Sequence, residues 1–473
     1  MNKAAKYIII FCVSLLSFPS LASFEYSNNI EKAHQELLEL NYTKANNYLE
    51  LEKTSNPNNK YINYLFAYQS FLKTYFNVNK SNYDKYIELS ENTLELLEHE
   101  GNNETALLLA STISIQRAFI FFLWGEHMSY VKALMHGQSF LDDIDKNTKN
   151  PEYLKTRSIY EVLGGSIPNK FKPFAKWFNI KGSAKKGIQL IERYLRQNKL
   201  SSANLYEGQM IKLYLRSFLD IPNQNINPAS PTLLTYVYLQ TSKESAKKKI
   251  IRIDNLNAKS NSYFVFLKAK YLIELQKEEG FILMNNFIQN QNNQAFLHSA
   301  HYYLAWYFCA QGNKEAYKNE ISKINLLPSP TYPTDKKALE RTKQTCNSSL
   351  IKSRMLFDAG EYKMALKILK QKSILNDLVT FEEKIEYLYR LARVYENLEN
   401  TSKALELYQK VIDTKKSDLY FVSFSAYRTG KIYALQNQKA KALEYYNIAL
   451  ELNDGEYKKS IEQKCQYSIS SIK

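Results

Sequence analysis

Histidine is the residue type in this chain best suited to metal binding or proton transfer. Two of the six histidines, His298 and His301, lie three residues apart, so a helix would place both on one face within reach of one metal ion. His301, however, falls where the repeat pattern described below places a large core residue, and packing is the favoured interpretation. His127 has no second histidine at a metal-binding spacing. We therefore predict no metal site and no cofactor.

Other catalytic motifs are missing from the sequence. It contains none of the patterns of serine hydrolases, phosphate-binding loops or dinucleotide-binding folds. Its acidic residues are spread along helical stretches, where a solvated surface is more common than a pair of acid and base catalysts. The sequence therefore predicts a binding or scaffolding protein that is not an enzyme and has no small-molecule substrate.

The basic residues give the chain a formal net charge of +16 at pH 7, with 63 Lys and Arg against 47 Asp and Glu. Such a surplus favours anionic partners: a membrane surface, an acidic glycan or, as the weakest idea for an exported protein, nucleic acid. The surplus can equally reflect a general bias in composition, because Lys, Asn, Tyr and Ile are all abundant. Both interpretations stay open.

One segment, residues 167–186, interleaves basic and aromatic side chains and is called the basic aromatic segment. It could lie at a membrane interface, with its rings at the acyl boundary and its ammonium groups on anionic headgroups. The favoured alternative is an internal helix whose rings pack into the fold while the lysines stay outside. The candidate contacts to an anionic membrane or glycan are Lys170, Lys172, Lys176, Trp177, Lys181, Lys185 and Lys186.

Long helices are the elements that must position these residues. Only 13 Gly and 11 Pro occur among 473 residues, although a sheet protein of this length needs many turns built from them. The chain also exceeds the usual size of one compact core, so a repeat array or several domains is expected. We predict an all-α fold.

A repeat is clearest in the last third of the chain. Two helical stretches, 388–395 and 404–411, are followed by a second similar pair at 429–433 and 442–449. Small residues recur in the same register, 39 and 38 residues apart, at Ala365, Ala404 and Ala442.

These residues resemble the tetratricopeptide repeat (TPR) signature. A small residue in the first helix, Ala392 or Gly430, lets the second helix approach closely. Further units in the same register contain Ala305 with Ala316 and, near the start of the chain, Ala33 with Ala45. One hairpin cannot bury its apolar face alone, so neighbouring hairpins stack. The resemblance implies a right-handed TPR-type α-solenoid of stacked antiparallel helical hairpins.

The inner face of the C-terminal repeats is the first candidate binding surface. The repeat register places Arg354, Arg393 and Lys431 at equivalent inward-facing positions, with Tyr389 and Tyr427 one turn before the last two. A row of cations beside aromatic rings suits an extended acidic peptide or a C-terminal carboxylate. A basic solenoid can also show cations in its groove by chance. We expect a protein or peptide partner there.

The central part of the chain, Ala106 to Leu195, resembles a family of functionally uncharacterised exported bacterial TPR proteins. The residues that carry the likeness are the break at 164–168, the aromatic run 171–180 and the link from Gly182 to Gly187. The link lacks the acidic residue expected after its first glycine. Within this part, residues 106–124 have helical patterning and include Gln116 and Arg117, so we predict a buried helix and not a membrane span.

The first 22 residues read as a signal peptide. Lys3 and Lys6 precede an apolar run of about a dozen residues, and Ser20 and Ala22 are small enough for cleavage after Ala22. We expect an exported, periplasmic or envelope-associated protein that is soluble after cleavage. The expected parts are the signal peptide 1–22, an N-terminal array 23–220, a joint at 221–231 that contains three prolines, and a C-terminal array 232–473.

Three cysteines remain after cleavage, and they are far apart in the sequence. Their spacing fits no zinc motif and allows at most one intramolecular disulfide. The favoured interpretation is three free thiols: Cys309, Cys346 and Cys465.

Overall fold

The computed structural model describes residues 24–165, 182–227, 229–256, 259, 261–291, 295–416 and 418–472. Across these ranges the chain forms helices and contains no strand. The helices of the first half are α1 (Asn28–Leu38), α2 (Tyr42–Ser55), α3 (Tyr61–Phe76), α4 (Lys80–Glu98), α5 (Glu104–Trp124), α6 (His127–Asp142), α7 (Pro151–Gly165), α8 (Ala184–Tyr194), α9 (Ser202–Phe218), α10 (Thr232–Thr241) and α11 (Ala246–Asp254).

The second half continues in the same way, with one short 3-10 turn at Arg341–Lys343. Its helices are α12 (Ser262–Glu274), α13 (Glu278–Asn290), α14 (Leu297–Ala310), α15 (Lys314–Leu326), α16 (Pro333–Glu340), α17 (Ser348–Asp358), α18 (Tyr362–Leu369), α19 (Ile374–Asp377), α20 (Phe381–Asn397), α21 (Thr401–Ile412), α22 (Tyr420–Leu435), α23 (Lys439–Glu451) and α24 (Lys458–Ile472).

Consecutive helices pair as antiparallel hairpins that stack on one another. The pairs are α1/α2, α3/α4, α5/α6, α7/α8, α12/α13, α14/α15, α17/α18, α20/α21 and α22/α23. The first helices of neighbouring hairpins also contact each other, as α3 contacts α5 and α20 contacts α22. The prediction of an all-α array of stacked hairpins is confirmed, and all five units identified in the sequence coincide with hairpins.

A recurring turn joins the two helices of a hairpin. The chain leaves the first helix through one residue in the left-handed region, at Leu40, Gly312, Gly360, Glu399 or Asn437. In three of these turns an asparagine follows at once and its side chain accepts a hydrogen bond from the backbone of the second helix, at Asn41, Asn313 and Asn400. Asparagine is among the best residues at this N-cap position, so a short local sequence is sufficient to reverse the chain.

The small residues predicted at the helix crossings are buried. Ala392, Ala404 and Ala442 are fully inaccessible to solvent. A Cβ atom added to Gly430 would lie 2.7 Å from two ring carbons of Tyr446 and 3.2 Å from the carbonyl oxygen of Ala442. The first and second helices of this hairpin therefore approach as closely as a residue without a side chain allows.

Helix α5 is long and apolar enough, by length and composition, to cross a membrane. In the structure it packs between α3, α4, α6 and α7, and 72% of its most apolar window is buried. Arg117 on this helix donates a hydrogen bond to the Ser90 hydroxyl at 2.9 Å. The core helices of soluble proteins share this composition, and the predicted burial is confirmed.

The interior of the array contains part of its own chain. Helix α10 is buried from Thr232 to Leu239, and the Tyr236 hydroxyl lies 3.0 Å from the Tyr75 hydroxyl of α3. The described residues of the predicted joint, 221–227 and 229–231, are not helical and lead into α10. One cluster of buried residues extends from Ile30 to Ala359, across this joint. The division into two arrays stays a prediction.

Two of the three cysteines form a disulfide, so the interpretation as free thiols is wrong for them. Cys309 and Cys346 are bonded, with Cα atoms 5.8 Å apart, while Cys465 is free and buried. The two cysteines are 37 residues apart in the sequence, which by itself suggests that they do not meet. In the structure α15 and α16 lie between them, and the chain after α16 returns to the end of α14.

The close crossing at Gly430 predicts a strong size limit. Gly430→Val should lower the free energy of unfolding by about 1–3 kcal/mol, because the buried Tyr446 ring cannot move aside. Chemical denaturation measures the loss. Asn447→Ala, on the exposed face of α23, is the control, and equal stability of the two variants would contradict the crossing geometry.

The cysteine pairing predicts a simple mass pattern. A chain starting at Ser23 should gain one iodoacetamide adduct in denaturant without reductant, at Cys465, and three adducts after reduction. Mass spectrometry of tryptic peptides locates the adducts. Three adducts before reduction would show that Cys309 and Cys346 do not pair.

Candidate functional site

A cavity of about 520 Å³, called the central cavity, opens among the inner helices of the array. Its walls come from α3, α5, α9, α10, α11, α12, α14, α16 and α17. Segments as far apart in the sequence as Tyr75 and Asp358 therefore meet around one space. This size lies within the range of roughly 300–1,000 Å³ that is usual for ligand-binding cavities.

One side of the central cavity is aromatic. The Tyr332 ring stacks on Phe296 with 4.5 Å between centroids, and the Tyr332 hydroxyl donates a hydrogen bond to the backbone oxygen of Tyr75. The Tyr236 hydroxyl lies 2.5 Å from that of Tyr263. These rings present apolar faces together with hydroxyl groups, which suits a ligand that has both apolar and polar parts.

Cations also line the cavity. The Arg354 guanidinium lies 4.4 Å from the centroid of the Trp306 ring, and its nearest carboxylate is that of Asp358 at 3.8 Å. Arg341 pairs with Glu456 at 3.2 Å, but its buried Nε has no hydrogen-bond partner among the described residues. Burial and the neighbouring charge of Arg341 lower the pKa of Lys337. These cations are close enough to repel one another.

The remaining charged groups of the cavity lie on α11 and α12. Lys270 and Glu274 are 3.8 Å apart, and Lys249 donates to the Ser242 carbonyl oxygen at 3.0 Å. Burial raises the pKa of Glu274 to about 7. Burial, together with the charge of Lys270, lowers the pKa of Lys249 to about 8. Both groups therefore change charge near neutral pH.

The charge balance defines what the cavity can bind. Five cationic side chains line it, against the two acidic ones, Glu274 and Asp358. Buried cations without full partners are stabilised by an incoming anion, and hydrogen bonds between charged groups are the strong ones. The arrangement therefore favours an anionic ligand with apolar or aromatic parts.

The structure separates the residues predicted for the C-terminal groove. Arg354 lines the central cavity. The Arg393 guanidinium lies 4.1 Å from the Phe357 ring, outside the cavity lining. Tyr389 is only 3% exposed and packs against Phe421 with 5.2 Å between ring centroids. Peptide binding by the five residues as a group stays a prediction.

The other two predicted residues contact an acid of the chain itself. The Tyr427 hydroxyl donates to the Asp220 carboxylate at 3.1 Å, and Lys431 forms an ion pair with the same carboxylate. Asp220 follows α9, which lies more than 200 residues earlier in the chain. The C-terminal inner surface is therefore in contact with the end of α9.

Most of the basic aromatic segment lies outside the described residues, including Lys170, Lys172, Lys176, Trp177 and Lys181. Lys185 is exposed, and Lys186 forms an ion pair with Glu161 at 2.8 Å. Binding of this segment to an anionic membrane or glycan stays a prediction.

The histidine pair has separate surroundings. His301 lies 2.7 Å from the Glu320 carboxylate of α15, whereas His298 is 1% exposed. Burial lowers the pKa of His298. Within the described ranges there is no group of three or more His, Cys, Asp or Glu side chains that could hold a metal ion.

Sequence reasoning identified Arg354 but missed the other cations of the cavity. Lys270 offered one signal, since it is a charged residue inside the apolar run of α12. Lys337 and Arg341 offered none, because they lie on a short amphipathic helix and the turn after it. Only the path of the chain brings them to Arg354.

The comparisons add little to this geometry. No family model and no curated protein matches the chain. The fold is TPR-type. The TPR domain of P58(IPK) is similar over 94% of this chain and 97% of its own, at 11% identity and a TM-score of 0.22. A monomeric IFIT1 mutant, solved with m7Gppp-AAAA, is similar over 91% of this chain and 84% of its own, at 14% identity and a TM-score of 0.21. Both TM-scores are low, so the TPR-type assignment depends on the hairpins and their small crossing residues.

The raised pKa of Glu274 predicts a pH-dependent stability. The folded chain binds this proton more tightly than the unfolded chain, whose Glu has a pKa near 4.5. The stability that Glu274 contributes is therefore present below about pH 4.5 and is lost as the pH rises through about 7. The wild type loses this stability as the pH rises, whereas Glu274→Gln does not. The unfolding free energy of the variant, relative to that of the wild type, should therefore increase by on the order of 2 kcal/mol from about pH 5 to about pH 8.

Urea denaturation at the two pH values measures this change. Glu444→Gln, on the exposed face of α23, removes the same charge and is the control. A difference between wild type and Glu274→Gln that does not vary with pH would contradict the raised pKa.

Proposed function

We propose that this protein is a non-catalytic interaction scaffold of the cell envelope, which holds an acidic segment of a partner protein in the central cavity. The observation that carries the proposal is the cavity itself, where cations exceed acids beside a wall of tyrosine and phenylalanine rings. A stacked-hairpin array exposes a long inner surface, which suits an extended chain.

The cations and the aromatic rings of the cavity together support a peptide ligand. Carboxylates on the peptide would meet Lys337, Arg341 and Arg354, through charge-assisted hydrogen bonds. Apolar side chains next to those carboxylates would pack on the Phe296 and Tyr332 rings. The tyrosine hydroxyl groups nearby can bond to peptide carbonyl or amide groups.

The envelope location is part of the proposal. The Cys309–Cys346 disulfide supports it, because disulfides persist in oxidising compartments such as the periplasm and are rare in the cytosol. The sequence of residues 1–22, with its basic start and apolar run, supports it independently.

Capture of a partner from native envelope extract tests the function. The tagged chain from Ser23 is the bait, and bound proteins are identified and quantified by mass spectrometry. The variant Lys337→Gln/Arg341→Gln should retain at least about tenfold less partner, because each lost charged hydrogen bond costs about 1.5–3 kcal/mol.

The control variant removes the same charge elsewhere. Lys403 and Lys410 lie on the outer face of α21, where both pair with Glu406, so Lys403→Gln/Lys410→Gln should retain the partner as the wild type does. Circular dichroism verifies that both variants keep their helicity. Equal retention by the two double variants would rule out the central cavity as the capture site.

A further inference from the structure

The backbone at Asp220 favours a different residue from the one present. Asp220 has a φ of +57° and follows α9, where its N–H donates to the Ser217 carbonyl and the next N–H donates to the Arg216 carbonyl. Helices commonly end in this way with glycine, which adopts a left-handed conformation without strain. Leu40 and Glu399 adopt the same conformation after other helices, so it is the contacts of the Asp220 side chain that distinguish this position.

Those contacts are made with the C-terminal inner surface. Lys431 bonds to both the carboxylate and, at 3.2 Å, the backbone oxygen of Asp220, while the Tyr427 hydroxyl donates to the carboxylate. Asp220 is 24% exposed at its side chain, and Lys431 is 25% exposed. We call Tyr427 and Lys431 the carboxylate site.

The carboxylate site lies in a cationic environment. Four cations interact electrostatically with Asp220: Arg428, Lys243, Lys464 and Lys431. Arg428 is neutralised by Glu396, which it contacts at 3.0 and 3.1 Å. Lys464 lies over the Phe424 ring at 5.6 Å and interacts with Asp220, while Lys243 interacts with both Asp220 and Glu396. The carboxylates of Asp220 and Glu396 are therefore shared among four cations.

The register of the repeats gives this position its meaning. Lys431 is the counterpart of Arg354 and Arg393 in the two preceding hairpins, which is where the sequence predicts contact with an acidic ligand. In the structure the carboxylate of Asp220, which follows α9 in the same chain, is bound there. Asp220 therefore supplies the same chemical group as the proposed ligand, a carboxylate, but belongs to the protein itself.

We propose that Asp220 is an internal ligand that closes the C-terminal inner surface, and that an acidic segment of the partner displaces it from Tyr427 and Lys431. The inference rests on the proposed function, since it concerns the same class of ligand. It adds a second contact region and an autoinhibitory contact. The apparent affinity equals the intrinsic affinity multiplied by the fraction of time the site is open.

Two substitutions of Asp220 remove the internal carboxylate without straining the backbone. Asp220→Asn keeps the shape and tolerates the left-handed region, and Asp220→Gly is the residue that the helix end favours. Asp254→Asn is the matched control, because Asp254 pairs with Lys268 at 2.8 Å on the surface and its loss changes the net charge equally.

The probe is a fluorescein-labelled hexaglutamate peptide, and its binding to the chain from Ser23 is measured by fluorescence anisotropy. Both Asp220 variants should bind the probe about tenfold or more tightly than the wild type. Asp254→Asn should stay close to the wild type, and adding Lys431→Gln to Asp220→Asn should remove the gain. Thermal melting verifies that each variant is folded.

Equal affinities of Asp220→Asn, Asp220→Gly and Asp254→Asn overturn the proposal, including the case in which none of them binds the probe. The proposed function is judged separately, by the partner retention of Lys337→Gln/Arg341→Gln in the capture experiment. A gain at Asp220 with unchanged retention there would place partner binding at the carboxylate site alone. Loss of retention without a gain at Asp220 would leave the central cavity as the binding site and make Asp220 a structural contact.

Discussion

The close approach of the two helices in each hairpin is the contact on which the rest of this structure depends. Two of these crossings use a glycine where any side chain would collide: Gly187 meets Val162, and Gly430 meets Tyr446. A tight pair presents two apolar faces that it cannot bury alone, and stacking on the next pair removes them from water. The first helices then line the inside of the array. The inner surface is thus a consequence of how each hairpin closes.

The composition of that inner surface is not explained by stability. Buried ion pairs are poor stabilisers, because desolvating two charges costs about as much as their attraction returns. Lys270 and Glu274 nevertheless lie inside, and Arg341 keeps a buried Nε that no described residue accepts. A core of the same volume could be apolar. Under the proposed function these charges serve recognition of a ligand, which would supply the missing partners.

The sequence predicted the features of the fold that are local. Hairpins such as α20/α21 repeat a pattern of small and aromatic residues within about 40 positions, and the turn at Glu399 and Asn400 is encoded by neighbouring residues. The disulfide, the burial of α10 and the Asp220–Lys431 pair depend instead on the path of the whole array. Small rotations between hairpins accumulate along such a path, and no single segment specifies their sum. For the same reason Arg354 was found from its repeat register, whereas Lys337 and Arg341 were not.

The connection from α10 to α11 links the two charged regions of the interior. Ala246 donates a backbone hydrogen bond to Ala359 at 3.0 Å, and Lys247 pairs with Glu361 at 2.6 Å, so this connection is fixed to the α17/α18 turn. Lys249, three residues after Ala246, lines the central cavity, while Lys243 interacts electrostatically with Asp220 at the carboxylate site. A partner chain bound at either region would meet charges carried by the same seven-residue stretch, from Lys243 to Lys249. Because packed interiors transmit small displacements, occupation of one region would, under the proposed function, bear on the geometry of the other.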